Sequence, residues 1–348
     1  MKRTRKPLKL SEQMRRRTRT SKQGMEYDGD IGVMISTGST LLDLAISGGR
    51  VRGGGIPGGI LVEIFGPSGS GKTVLLSEAA GDVQRKSGEV MFNDPEARLN
   101  KQFAKIFGLN IDVMDYSTPD TVIEVFEAVR NWKPKKKNTI HGIFADSLAA
   151  LSTDMEMGGE DKMGAKRAKD FSEQLRKTCR YLVKSNYLMM CSNQIRQSFD
   201  QYGPKYKSPG GEALGFYSSL RLRTSFALTN SKIKREITIG SKKVNRIVGV
   251  NIEVDIFKSS VWKPYRTAPV TILFDYGIDD TRQNLQYIKD HTGAGVYTLG
   301  DKKLAVSMEK AIQIVEREDL EEKLRDQVID LWESIESNFK SVRKLKDR

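Results

Sequence analysis

The sequence predicts an α/β chain. Its core, at 31–279, is built on a mostly parallel, twisted, doubly wound sheet, with a basic N-terminal arm at 1–30 and a small α+β domain at 280–348. Three observations lead there. Short apolar runs suited to buried strands alternate with amphipathic runs, the pattern of a parallel sheet crossed by helices. One junction between such runs carries Gly66-Pro67-Ser68-Gly69-Ser70-Gly71-Lys72-Thr73, spaced G-x-x-x-x-G-K-T. Charge is also uneven. The 348 residues carry a net +14, and residues 1–24 hold ten Lys or Arg against Glu12 alone.

The glycine-rich junction reads as a phosphate cradle for ATP. Glycines let the backbone curl so that successive N–H groups face an anion, and the helix that follows adds partial positive charge. Gly66, Pro67, Ser68, Gly69, Ser70 and Gly71 would form the cradle. Lys72 would reach the β- and γ-phosphates, and the Thr73 hydroxyl would meet Mg²⁺. The flanks agree: Ile60–Phe65 is a short apolar run, and Thr73–Lys86 carries Leu75, Leu76, Ala79, Ala80 and Val83 at helical spacing.

Composition bounds the rest. Hydrophobic residues are 38% and charged residues 29%, as in a soluble globular chain. No apolar run approaches the ~18 residues of a membrane span, and no signal peptide starts the chain. Two cysteines, Cys179 and Cys191, and two histidines give no zinc framework. They read as buried, reduced thiols in a cytoplasmic protein, and no membrane partner is expected. The positive charge calls for a polyanion. The arm is either a solvated tail or a nucleic-acid contact, and these readings are compatible.

In chain order, Val33–Ser36 reads as a strand. Thr37-Gly38-Ser39 caps a helix through Ile46, stopped by Gly48-Gly49, and Arg50–Gly59 is a glycine-rich loop. Val90–Asp94 and Val113–Tyr116 read as strands, with Phe103–Phe107 on a helix between them. Ser117-Thr118-Pro119-Asp120 reads as a helix start running to Trp132. Ile140–Ser147 ends in Asp146, where a second Mg²⁺-organising acid belongs. Residues 155–164 form a Met- and Gly-containing loop. Ala165–Ser185 is a basic helix with an apolar face of Phe171, Leu175, Leu182 and Val183. Tyr187–Asn193 is a buried strand, and Gln194–Gly211 is a long loop. That loop mixes Arg196, Lys205 and Lys207 with Phe199, Tyr202 and Tyr206, a composition suited to single-stranded nucleic acid. Strands follow at Leu220–Leu228, Ile233–Ile239, Ile247–Phe257 and Val270–Phe274. Beyond 280, Val296–Leu299 reads as a strand, and Leu304–Val315 and Leu320–Phe339 as helices.

The order of these parts resembles the RecA recombinases. The match rests on Ile35–Ser39 with Leu42-Asp43, the phosphate loop, Phe92–Ala97, Ala145–Leu151, Ser192–Arg196 and Gly210–Leu214 with Phe216-Tyr217. It covers residues 33–315. Divergence from the cellular members fits a phage- or plasmid-encoded version. The resemblance implies a RecA-type ATPase core that forms helical filaments on single-stranded DNA and exchanges strands with double-stranded DNA, using ATP and Mg²⁺. It makes Glu96 the general base, Asp146 a Mg²⁺ holder with Thr73, and Gln194 the γ-phosphate sensor. Phe103 would stack on adenine with Asn100 nearby, and Lys258 would reach a neighbouring subunit's ATP. DNA would meet Met163, Gly164, Ser172, Arg176, Arg196, Phe199, Tyr202, Lys205, Lys207, Gly210 and Gly211.

The chain departs from the family pattern in places. Ser260 stands where the family has a second interface lysine, with Lys263 close by, and Phe103 stands where it usually has Tyr. The arginine-rich arm replaces a polymerisation helix, and the C-terminal end is basic rather than acidic. Rival readings are a transport or small-molecule kinase ATPase, a RecA-fold hexameric motor or regulator, and a binder that ATP merely switches. No Leu-Ser-Gly-Gly-Gln follows the loop, which weighs against the transporter. The 194–211 loop weighs against the motor, and Glu96 against the pure switch.

Overall fold

The computed structural model describes residues 33–341 and 343, except 98, 100, 149–150, 152–163, 195, 198–205 and 208–212. Strand β1 (Met34–Ile35) leads into helix α1 (Thr40–Ser47), whose N-cap Ser39 accepts the Leu42 N–H. β2 (Ile56–Pro57) returns antiparallel to β1. β3 (Leu61–Gly66) then feeds the glycine loop and α2 (Lys72–Arg85). There follow β4 (Val90–Asn93), α3 (Lys101–Ile106), β5 (Asp115–Ser117), α4 (Val122–Asn131), β6 (His141–Ala145), α5 (Gly164–Ser185) and β7 (Tyr187–Gln194). β8 (Arg196–Gln197) and β9 (Tyr206–Lys207) precede α6 (Ala213–Tyr217). Next are β10 (Leu220–Phe226), β11 (Lys232–Ile239), β12 (Lys242–Ser259), β13 (Thr267–Leu273) and β14 (Gly277–Ile278). The chain closes through α7 (Asp280–Thr292), β15 (Tyr297–Leu299), β16 (Lys302–Ala305), α8 (Met308–Arg317) and α9 (Glu321–Asn338).

The main sheet runs β14-β13-β12-β10-β3-β7-β6-β4-β5, with β11 paired to β12. From β10 to β5 every pairing is parallel; from β10 to β14 every pairing is antiparallel. β3, β4 and β6 are buried along their whole length, as strands covered on both faces must be. One apolar cluster lies on one side, from Ile35 through Leu76 and Phe92 to Trp332. A second, holding Phe126, Leu175 and Met189, lies under α4 and α5. Among the described residues, no helix is long and apolar enough to cross a membrane.

Several sequence expectations shift. The third strand starts at Asp115 because Ile111–Val113 is a 3-10 turn capped by the Asn110 side chain. α4 starts at Val122 rather than near Pro119: the Thr121 hydroxyl accepts the Glu124 N–H and so sets the cap. Val183 is exposed, since it lies about 100° around the helix from buried Leu182. Leu304 belongs to β16, which pairs with β15, so the helix begins four residues later, at Met308. The long loop after β7 contains a small antiparallel pairing, with Arg196 opposite Lys207 and Gln197 opposite Tyr206. Neither cysteine is in a disulfide. Cys191 is buried and Cys179 half-buried, and burial pushes both thiols up.

The segment after β14 packs onto α1 through buried carboxylates. Asp280 accepts the Thr40 N–H and hydroxyl, both at 2.7 Å. Asp43 accepts the Thr37 N–H at 2.8 Å and the Ser36 hydroxyl at 2.5 Å, while burial lifts its carboxyl to about 6. Glu78 on α2 accepts the Ile278 N–H at 3.2 Å. Burial lifts Glu78 to about 7, helped slightly by Asp280 and Asp82 and opposed by that hydrogen bond and by Arg85. A carboxyl raised in the folded state takes up a proton on folding. Its contribution is complete below its ordinary value of 4.5 and is lost as pH rises through about 7. Glu78→Gln is therefore expected to melt roughly 2–4 °C above the parent at pH 8, with the gap closing towards pH 5. Thermal melts across that range check it; a gap independent of pH would exclude Glu78 as the titrating group.

Candidate nucleotide site

The parallel ladder sets the site. Gly66 of β3 registers with Gln194 of β7, Cys191 of β7 with Ala145 of β6, and Ala145 with Asn93 of β4. The carboxyl ends of these strands therefore lie together, where open α/β sheets bind their ligands. The glycine loop, Glu96, Asp146 and Gln194 all come from this edge.

Gly71 closes the loop at a φ of 79° as the α2 N-cap, a left-handed conformation that suits glycine. A Cβ there would also meet Ile272 Cδ1 at 2.4 Å. The Ser70 hydroxyl is 2.6 Å from that of Thr224 and donates to the Pro67 carbonyl at 2.7 Å, which pins the loop to β10. Lys72 Nζ donates to the Gly66 and Pro67 carbonyls at 3.0 and 2.7 Å, so its ammonium lies inside the curl of the loop.

A hydrogen-bonded chain leads away from the loop. The Thr73 hydroxyl donates to Asp146 Oδ2 at 2.7 Å. The Ser192 hydroxyl donates to Asp146 Oδ1, and Ser192 Oγ also accepts the Ser147 N–H at 2.7 Å. The Ser147 hydroxyl donates to Glu96 Oε2 at 2.7 Å. Thr73, Asp146 and Glu96, three residues picked from sequence, are thus joined by two serines to which sequence reasoning gave no role. Both serines stand inside motifs already singled out, Ala145–Leu151 and Ser192–Arg196. Their position was the only available signal.

The other named residues are placed as follows. Gln194 is half-buried at the end of β7. Phe103 on α3 is half-buried, edge-on to Phe107 with centroids 4.7 Å apart. Lys258 Nζ donates to the carbonyls of Gly215 and Phe216 at 3.1 and 2.7 Å. Burial, and then Arg221 beside it, lower the Lys258 ammonium, while Glu63 opposes them. Arg221 itself donates to the fully buried Glu63 at 2.5 Å. Lys263 Nζ lies 5.1 Å over the Trp262 ring. Gly164 starts α5; Ser172 is half-buried on it and Arg176 exposed. Arg196 and Lys207 are strand partners. Asn100, Met163, Phe199, Tyr202, Lys205, Gly210 and Gly211 lie outside the described residues.

The donor set at the loop is a hydroxyl beside a carboxylate, oxygen ligands that suit a hard divalent cation such as Mg²⁺. Among the described residues there is no cluster of three or more His, Cys, Asp or Glu able to hold a metal by themselves. A Mg²⁺ here would thus complete its shell with phosphate oxygens and water, its usual manner of binding.

The chain is similar to known proteins along most of its length. The model of the RecA N-terminal domain matches residues 6–279. Protein RecA of Borrelia hermsii is 34% identical over 303 residues, covering 84% of this chain and 81% of that protein. Protein RecA of Thermus thermophilus is 33% identical over 308 residues, covering 85% of each. A crystal structure of the RadB recombinase superposes with a TM-score of 0.49 at 20% identity, over 70% of this chain and 98% of that one.

Because Lys72 supplies the charge inside the loop, Lys72→Ala is expected to weaken nucleoside triphosphate binding by about a hundredfold or more. Titration with a fluorescent ATP analogue reads this directly. Retention of parental affinity would remove the loop as the phosphate site.

Proposed function

We propose, from the premise that this chain belongs to the RecA family, how its residues divide the work of an ATP-dependent recombinase. The chain is a DNA-dependent ATPase of homologous recombination. The finer reading is that ATP-bound copies assemble as a helical filament on single-stranded DNA, take in double-stranded DNA and exchange strands when the bases pair. Contacts to phosphate are blind to sequence, as a protein that must accept any sequence requires. The bacterial cytoplasm is the setting that goes with this reading. The division into an arm at 1–30, a core at 31–279 and a C-terminal unit at 280–348 belongs to the same proposal.

The observation that carries it is the continuous link from Thr73 through Asp146, Ser192 and Ser147 to Glu96. Lys72 and the loop N–H groups bind the phosphates, and Thr73 with Asp146 holds Mg²⁺, which neutralises charge on the phosphate oxygens when bound. Glu96, steadied by Ser147, takes the proton of the attacking water. Gln194, at the level of Gly66, reads the γ-phosphate and passes its state into the loop that follows. Phe103 and Asn100 border the base. Lys258, with Lys263 near it, completes a neighbour's site, so that hydrolysis depends on assembly. The loops at 155–164 and 195–211, with Ser172 and Arg176, contact DNA.

ATP hydrolysis with and without single-stranded DNA, on samples also imaged by negative-stain microscopy, tests the reading. Strong stimulation together with helical filaments is expected; DNA-independent turnover by closed rings would favour the motor instead. Glu96→Gln should keep ATP binding while turnover falls by about 10²–10⁴, leaving filaments that persist on DNA. Parental turnover in that variant would remove Glu96 as the base.

A further inference from the structure

Glu63 stands in the middle of the parallel sheet. It lies on β3 between Val62 and Ile64 and is fully buried. β3, β4, β6 and β7 hold no other Asp, Glu, Lys or Arg. A carboxylate in such a place stays charged only if it is paired and hydrogen-bonded. The register lines it up with two cations. Glu63 stands opposite Arg221 of β10, and Arg221 opposite Lys258 of β12. Three charged residues on adjacent strands thus cross the sheet in one row. Arg221 registers with Lys258 but Leu222 with Ile256, so Phe257 is the extra residue of a β-bulge beside Lys258.

Glu63 is clasped from both sides. Arg221 Nε donates to its Oε2 at 2.5 Å, and the Asn193 amide donates to its Oε1 at 3.1 Å. Asn193 is itself fully buried. The Arg221 guanidinium lies 4.6 Å from the Phe65 ring centroid and 5.3 Å from that of Phe257. A Cβ on Gly215 would come within 2.8 Å of that guanidinium, so α6 packs directly onto it. Lys258 Nζ is held on the same helix, by the carbonyls of Gly215 and Phe216. Connectivity gives these contacts a consequence. Asn193 immediately precedes Gln194, the last residue of β7, and α6 follows the 195–211 loop. Both stems of that loop, and Lys258 with them, are tied to one buried carboxylate. Without the Glu63 charge, the Arg221 cation would stand half-buried and uncompensated beside Lys258, which it repels.

We infer that Glu63 is a positioning residue for assembly-dependent hydrolysis: through Arg221 it holds Lys258 on α6, in the place from which Lys258 reaches a neighbour's ATP, and through Asn193 it fixes the stem that carries Gln194. Full burial keeps Glu63 itself away from nucleotide and DNA. The inference rests on the reading of Lys258 as the residue that completes a neighbour's site, and it adds what sets that residue's position.

The test compares Glu63→Gln, Glu63→Gln with Arg221→Gln, and Lys258→Ala in the full chain. Hydrolysis is measured over a range of ATP concentrations, with and without single-stranded DNA. Glu63→Gln keeps the shape of the side chain and an oxygen for Arg221 but removes the charge. Its DNA-stimulated kcat should fall by about tenfold to a hundredfold, as for a misplaced catalytic group. Its KM for ATP and its unstimulated turnover should keep parental values. Neutralising Arg221 as well should bring stimulated kcat back to within about threefold of the parent, since no unpaired charge is then left beside Lys258. Parental stimulation in Glu63→Gln would overturn the inference. So would an equal loss of stimulated and unstimulated turnover that the second substitution does not relieve, the mark of general damage to the fold. If Glu63→Gln does not fold, Arg221→Lys takes its place, because it keeps the charge but loses the planar guanidinium between the two rings. It should show the same loss of stimulated kcat at parental KM, and parental stimulation there would overturn the inference. Lys258→Ala separates the two readings. Loss of stimulation in it but not in Glu63→Gln would remove the positioning role alone; parental stimulation in Lys258→Ala would remove the cross-subunit reading and this inference with it.

Discussion

The site depends on parallel strands that end at one level. Burial on both faces leaves β3, β4 and β6 no freedom to slide, because a slip of one residue would reverse every side chain. The register is therefore held by apolar side chains such as Ile64, Phe92 and Phe144, none of which faces a ligand. Its consequence lies at the carboxyl ends of the ladder, where Asp146, Glu96 and Gln194 arrive from different parts of the chain. The packing that makes the core also makes the edge.

The way charge is balanced at Asp146 differs from that at Glu63. Asp146 is buried, yet its described partners are the hydroxyls of Thr73 and Ser192, not cations. A hydroxyl satisfies a carboxylate without neutralising it, which leaves Asp146 suited to a metal cation. Glu63 is treated in the opposite way: Arg221 pairs with it directly, and the Asn193 amide donates to it at 3.1 Å. A buried carboxylate with a salt-bridge partner is a structural tie, costly to break on one side only. Asp43 and Glu78 are a third case, buried where hydrogen bonds only partly compensate, and both carboxyls are raised.

The phosphate loop was legible because its chemistry is local: spacing, glycines and flanks lie within one stretch of chain. Asp146 was legible for a similar reason, as an acid closing an apolar strand. Ser147 and Ser192 were not, because their roles exist only once strands 45 residues apart lie side by side. Pro119 misled for the reverse reason. It suits a helix start, but the Thr121 hydroxyl reached an N–H first. The runs at 233–239 and 247–257 read as strands, but residues 242–246, which extend β12 beyond the main sheet to pair with β11, were missed, and nothing in a period of two says whether a strand stays in its sheet. Leu304 kept helical spacing with the residues after it, and only the pairing of β15 with β16 removed it from the helix.

Two of the strained backbone positions, among several across the fold, lie at the same edge. Ala97 and Ser147 have φ values of 50° and 52°, in the left-handed region that costs a residue with a Cβ about 1 kcal/mol or more. Neither is an asparagine, the residue that best tolerates this conformation among those with side chains. One follows Glu96 and the other follows Asp146, so each turn sets the exit of the chain immediately after a candidate acid. The Ser147 turn has a visible return: its N–H meets Ser192 and its hydroxyl meets Glu96. The buried register supplies the stability that tolerates the strain, and the strain sets the direction of two carboxylates. Relaxing it would favour the fold and loosen the site.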